Sequence, residues 1–196
     1  VFVEDTAVVV PPVGVLSRPG AASRRGEVAT MRPELGRGGR PVVELTAPAR
    51  LDGGDVVVVG RTLYVGVTAR TDDEGRRQLA ATVGRHGYRV VPVAVSGVLH
   101  LKSALTALPD GTLVTFGDHV ERTALGGAAV IDAAEPSGAD VLALGHAVVI
   151  AASAPGTAEA IADLGWPVHT VEIDEFEKAE AGVTCLSVVD PRPAPS

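Results

Sequence analysis

A single cysteine, Cys185, stands in 196 residues. That excludes a disulfide within the chain and a zinc site built on several thiolates. Two roles remain for Cys185: a small buried apolar residue, or a nucleophile. Aromatic residues make up only 3%, and acidic residues outnumber basic ones by 24 to 17, for a net charge of −7. A phosphate-tracking basic stripe with interleaved rings is therefore absent, and with it general nucleic-acid binding. No run approaches the roughly 18 apolar residues of a membrane span. No charged start leads into an apolar stretch with a small-residue cleavage site, so no signal peptide is read and a cytoplasmic protein is expected.

What is present is ordinary globular composition, 46% hydrophobic and 21% charged. A chain this long buries about 70% of its unfolded surface and needs no staple. At roughly 150 residues per domain, one domain is expected, over residues 1–190, with a frayed Pro-rich tail at 191–196. β-Branched and apolar patterning predicts strands at 1–10, 13–16, 41–45, 55–59, 63–67, 89–95, 99–108, 113–116, 128–132, 141–144, 147–151, 168–173 and 183–189. Helices are predicted at 23–35, 71–87, 157–164 and 174–181.

The order strand–strand–helix–strand thus recurs about four times, at a period of roughly 40–50 residues, which points to a propeller-like α/β array. A doubly wound sheet fits less well. Hairpins separate the helices, where parallel strands want one crossover each, and no glycine-rich turn opens a helix after the first strand.

The early-strand position of each unit carries a polar group out of character with its surroundings: Glu4 and Asp5, then Asp52 and Asp55, then His100 and Lys102, then Asp140, then Thr184 and Cys185. In a closed array, equivalent positions meet at the axis. A thiol, a histidine and an orienting carboxylate such as Asp52 make an activated nucleophile. The other histidines lack ligand spacing, so neither metal nor cofactor is expected. Several carboxylates around a thiol suit a planar guanidinium, whose donors lie in one plane. A substrate α-carboxylate would then need an arginine, with Arg18, Arg24, Arg25 and Arg70 available. No G-x-S-x-G elbow supports a serine hydrolase.

The stretches FVEDTAVV (2–9), RPGAASRRGE (18–27), LDGGDV (51–56), LYVGVTART (63–71), LHLKS (99–103) and AGVTCLS (181–187) resemble the dimethylarginine dimethylaminohydrolase family, in family order and spacing. The resemblance implies a five-bladed α/β propeller of the pentein type, with about four repeats present here and the first blade incomplete. It implies that Cys185 is the nucleophile, His100 the general acid and base, and Asp52 the carboxylate that orients the histidine. Glu4 and Asp5 would hold the guanidinium, and Arg24 and Arg70 would stand around the α-carboxylate. Ala179 would offer its backbone carbonyl to the α-amino group.

The substrate implied is a methylated arginine, hydrolysed to citrulline and an amine through a covalent thiouronium. Arginine deimination is the alternative within the same fold. The family chain begins upstream of residue 1, with a lid and a further substrate aspartate. An array lacking that segment would expose a strand edge, which favours pairing of two copies as a homodimer; a non-catalytic arginine-binding module is the alternative from another class, against which the intact Cys185, His100 and Asp52 argue. Leu186 stands where some relatives carry a second cysteine.

Overall fold

The computed structural model describes residues 2–191. Four three-stranded sheets follow one another in sequence. The first holds β1 (Ala7–Val10), β2 (Val13–Leu16) and β3 (Val42–Glu44), and the second β4 (Val56–Val59), β5 (Thr62–Val67) and β6 (Arg89–Ala94). The third holds β7 (Leu105–Ala107), β8 (Leu113–Thr115) and β9 (Val130–Asp132), and the fourth β10 (Leu142–Leu144), β11 (Ala147–Ala151) and β12 (Val168–Val171).

Every sheet has the same wiring. An antiparallel hairpin is followed by a crossover to a third, parallel strand. Three of the four hairpin turns use left-handed backbone, supplied by Gly60, Gly111 and Gly145 with φ of 55°, 91° and 61°. The crossovers carry α1 (Val28–Gly36), α2 (Asp73–Gly84) and α3 (Pro155–Asp163) in the first, second and fourth units. In the third unit a 3-10 turn, Arg122–Leu125, takes the helix's place. The short helix α4 (Asp174–Glu177) leads into the last segment.

The apolar runs are explained by blades packed on both sides. Val8 and Val10 enter one core with Val56, Leu63 and Leu79, while Ala7 and Val9 enter another with Leu16, Val28 and Leu35. Val56 and Val57 likewise point into different cores, the second shared with Leu101, Leu105 and Leu113. Val114 turns from that core toward Val141, Val148 and Ile150. Successive residues of a strand thus bury opposite faces, so VVVV replaces polar–apolar alternation. Each fully buried Leu or Ile contributes about 1.5–3 kcal/mol, and the cores lie between neighbouring blades, so this burial fixes one blade against the next.

Three predicted strands are corrected. Residues 99–108 do not form one strand: a 3-10 turn, Leu101–Ser103, precedes the three-residue β7. Residues 183–189 contain the 3-10 turn Thr184–Leu186 and no strand. The predicted strand at 1–10 is also split, with a 3-10 turn at Val3–Thr6 before β1. The predicted helix at 23–35 opens as a 3-10 helix, Ala22–Glu27, before α1. The tail predicted at 191–196 lies outside the described residues apart from Pro191. No helix among the described residues is long and apolar enough to cross a membrane.

Candidate active site

The polar positions that recur in the sequence all fall on short 3-10 turns or beside them. These are Val3–Thr6, Gly53–Asp55, Leu101–Ser103, Pro136–Ala139 and Thr184–Leu186. The first packs against the second and the last, the second against the third, and the third against the fourth. Two hydrogen bonds between Thr184 and Asp140 close the ring.

Carboxylates of one unit brace the turn of the next. Asp5 Oδ1 accepts the Gly54 N–H at 2.9 Å, Asp55 Oδ1 the Leu101 N–H at 3.0 Å, and Asp140 Oδ1 the Thr184 N–H at 2.9 Å. The glycines of LDGGD make the close approach possible. A Cβ on Gly53 would lie 2.1 Å from the Glu4 carbonyl oxygen, and one on Gly54 2.8 Å from Asp5 Oδ1 and 3.1 Å from the His100 ring.

Asp52, with extended backbone, precedes the second turn and is fully buried. Its Oδ1 accepts the Gly20 N–H at 2.8 Å, and its Oδ2 lies 3.0 Å from His100 Nε2. Asp5 Oδ1 is 3.8 Å from the same nitrogen. Burial pulls the His100 pKa down, but the Asp52 hydrogen bond and the charges of Asp5, Asp55 and Asp52 outweigh it. The pKa therefore ends above the usual histidine value, and the ring is held as a proton donor. With Nε2 committed to Asp52, Nδ1 is the nitrogen left to exchange protons with a ligand.

Cys185 sits half-buried on the last axial turn. Burial first, then the neighbouring carboxyl groups of Asp140, Glu4 and Asp5, push its thiol up to about 12. At neutral pH it is therefore a neutral thiol, and a cation bound beside it would favour the thiolate.

Of the two carboxylates expected to hold a guanidinium, only Asp5 stands with Asp52 and His100. Glu4 is ion-paired to Lys102, and its Oε2 lies 3.0 Å from Thr184 Oγ1. Glu4, Lys102 and Thr184 line a cavity of about 440 Å³ whose walls are β1, β4, β7, β10 and residues 187–189. None of Asp5, Asp52, His100 and Cys185 lines it.

Arg24 reaches the cluster. Its Nη1 pairs with Asp5 Oδ2 at 2.6 Å, Nη2 donates to the Phe2 carbonyl at 2.9 Å, and Glu27 pairs with its outer edge. Arg70 is half-buried, and its guanidinium makes no ion pair or hydrogen bond among the described residues. Ala179 is exposed in the turn after α4, beside Glu180 at φ 60°.

Asp5, Asp52 and His100 each bring a possible ligand atom within 4.8 Å of the others. Both carboxylates are already engaged, Asp5 by the Arg24 cation and Asp52 by the Gly20 N–H. The parts played by Lys102 and Thr184 were not assigned from sequence. Their register was the one signal available, because their partner, Glu4, lies 98 and 180 residues away.

Comparison with known proteins finds similar chains over most of this chain's length. The N(G),N(G)-dimethylarginine dimethylaminohydrolase of Streptomyces coelicolor is 49% identical over 191 residues, spanning 96% of this chain and 73% of that protein. A crystal structure of a dimethylarginine dimethylaminohydrolase adduct with S-methyl-L-thiocitrulline superposes with a TM-score of 0.89 at 34% identity, covering 94% of this chain and 74% of that one. The Pseudomonas aeruginosa enzyme, as a mutant complexed with citrulline, gives a TM-score of 0.84 at 32% identity and the same coverage. No protein-family model matches the chain.

Proposed function

The chain belongs to the dimethylarginine dimethylaminohydrolase family, and from that premise we propose how its own residues hydrolyse Nω-methylated arginine to citrulline and an alkylamine. The observation that carries the proposal is the axial ring itself. Within it Asp52 hydrogen-bonds His100 with Asp5 beside them, and the turn that carries Cys185 packs against the turn that carries Asp5.

The substrate guanidinium docks beside Asp5, and its positive charge offsets the carboxylates that hold the thiol proton. That proton passes to water, and the thiolate attacks the guanidinium carbon. The C–S bond forms, His100 Nδ1 gives its proton to the dimethylamino nitrogen, and the C–N bond breaks. Dimethylamine leaves and a thiouronium remains on Cys185. Neutral His100 then takes a proton from water as the water oxygen adds to the same carbon. The C–S bond breaks, the hydroxyl proton returns to sulfur, and citrulline is released. Asp52 stabilises the imidazolium in both halves.

Arg70 is the arginine free to take the α-carboxylate, and Arg24 frames the Asp5 side of the site. The Ala179 carbonyl meets the α-amino group. Glu4 acts with Lys102 as a brace of the ring rather than as a substrate ligand. No metal or cofactor enters this scheme.

We also read residues 1–190 as one catalytic unit working in the cytoplasm. We propose a homodimer, which light scattering of the purified protein tests.

Product analysis tests the function. Asymmetric dimethylarginine is expected to yield citrulline and dimethylamine in equal amounts, and Cys185→Ser none. Citrulline and ammonia from arginine alone would make the protein a deiminase. Binding of methylated arginine without turnover would make it a binding module.

A further inference from the structure

Asp140 is a buried carboxylate that the reaction above does not use. It follows the fourth axial turn and is 7% exposed. Its Oδ1 accepts the Thr184 N–H at 2.9 Å, and its Oδ2 lies 3.2 Å from Thr184 Oγ1. The same hydroxyl is 3.0 Å from Glu4 Oε2, while Glu4 Oε1 pairs with Lys102. The packing is close enough that a Cβ on Gly182 would come within 2.1 Å of Asp140 Oδ2. Asp140 thus grips the turn that carries Cys185. Through Thr184, Glu4 and Lys102 that turn is linked to the one that follows His100.

Counting hydrogens restricts the charge state. The Thr184 hydroxyl has one proton, and two ionised carboxylates compete for it. If it serves Glu4, an ionised Asp140 Oδ2 faces a hydroxyl lone pair with nothing to accept. Two arrangements satisfy these four contacts, one with the extra proton on Glu4 and one with it on Asp140, and the Lys102 ammonium paired with Glu4 keeps that carboxylate ionised and selects the second. Lys102 and the Thr184 O–H donate to Glu4, a protonated Asp140 Oδ2–H donates to Thr184 Oγ1, and the Thr184 N–H donates to Asp140 Oδ1.

We infer that Asp140 stands as a neutral carboxylic acid in the resting protein and in that form is the positioning residue for the Cys185 turn. The inference rests on Cys185 being the nucleophile.

The charged and titratable groups acting on Asp140 are Glu4, Lys102 and Cys185. Burial pushes Asp140 up most, and the Glu4 charge adds to it. The Thr184 hydrogen bonds and Lys102 oppose them, and the balance lies at about 7. Because this pKa is raised, the neutral form dominates below that value and is lost as pH rises through it. Ionisation breaks the bond to Thr184 Oγ1 and sets a negative charge near the Cys185 thiol.

The test compares wild type, Asp140→Asn and Asp140→Ala. Turnover of asymmetric dimethylarginine is followed from pH 6 to 9. Alkylation of Cys185 by iodoacetamide is followed over a range extended upward to cover thiol ionisation, with Cys185→Ser as its blank. The amide of Asp140→Asn copies the neutral acid, with Oδ1 accepting from Thr184 N–H and Nδ2 donating to Oγ1.

Asp140→Ala is expected to lose at least about 30-fold in kcat with KM changed less than about threefold. Asp140→Asn is expected to recover most of that loss at pH 6. Wild-type kcat should then fall relative to Asp140→Asn by about threefold or more toward pH 9, and the alkylation midpoint of Asp140→Asn should lie below that of wild type. An Asp140→Asn enzyme as impaired as Asp140→Ala at every pH would overturn the neutral-acid assignment. So would parallel pH profiles with equal alkylation midpoints. If Asp140→Ala does not fold, the Asp140→Asn profile and midpoint decide alone. Turnover by Cys185→Ser would instead refute the nucleophile reading, and the alkylation result would still report on Asp140.

Discussion

Asp52→Asn is nearly isosteric, and the structure says which way its amide must face. Asp52 Oδ1 accepts the Gly20 N–H at 2.8 Å, and a backbone N–H can only donate. The asparagine oxygen therefore stays on Gly20, and its NH₂ turns to His100 Nε2, now 3.0 Å from a carboxylate oxygen. Nε2 must then accept, which selects the opposite tautomer and disfavours the imidazolium.

A hydrogen bond to a charged group contributes about 1.5–3 kcal/mol, so the His100 pKa should fall by about one to two units. Asp5 stays 3.8 Å away and keeps part of the field. The same exchange in a serine-protease triad costs about 10⁴ in kcat; with Asp5 still present, a loss of about 10²–10³ is expected here. The assay is an NMR titration of His100, assigned with His100→Ala, alongside kcat. A titration shifted by less than about 0.3 units together with kcat within about threefold of wild type would refute the reasoning.

Three further outcomes follow from the ring and its supports. Fully buried Asp55 serves the Leu101 N–H and the hydroxyls of Thr68 and Thr71 at 3.0, 2.7 and 2.6 Å. Asp55→Ala should therefore cost about 3–5 kcal/mol in urea unfolding, and a loss under about 1 would contradict this. Gly53→Ala drives a methyl into the Glu4 carbonyl and should cost more than about 2 kcal/mol, whereas Gly26→Ala, which meets nothing within 4 Å, should stay within about 1. Asp72 caps α2 by accepting the Gly75 N–H at 2.8 Å, so Asp72→Ala should cost about 1 kcal/mol at neutral pH. Burial raises the Asp72 pKa, but the Gly75 and Arg50 hydrogen bonds outweigh it and leave it lowered. That stabilisation is present above the ordinary carboxyl pKa and lost as pH falls through the lowered one, so the deficit should vanish in acid.

The blade repeat was legible because hairpins and crossovers leave strong local signals. Val56–Val59 against Thr62–Val67, with Gly60 between them, reads as a hairpin from sequence alone. The axial turns were not legible. In LHLKSALTAL and VTCLSVV, a three-residue 3-10 turn flanked by apolar residues has the same composition as a strand start. Only packing against the neighbouring turns decides between them. The register of Glu4, Asp5, Asp52, Asp55, His100, Lys102, Asp140, Thr184 and Cys185 pointed to one axis, and the 3-10 turns on or beside which they lie pack against one another. Which group meets which did not follow from register. Glu4 and Asp5 are adjacent, yet one pairs with Lys102 and the other with Arg24. Adjacent side chains diverge on a strand and on a 3-10 turn alike, so the divergence was expected, but which neighbour each one meets is set by packing between turns far apart in sequence.

The central claim is that Cys185 carries the substrate carbon during turnover. Acid quenching in the first turnovers with asymmetric dimethylarginine, followed by intact-mass and peptide mass spectrometry, measures this directly. A thiouronium adduct on the Cys185 peptide is predicted, with dimethylamine already lost. The adduct should decay as citrulline appears and should be absent from Cys185→Ser. Steady release of citrulline with Cys185 unmodified, or an equally active Cys185→Ser, would contradict the account.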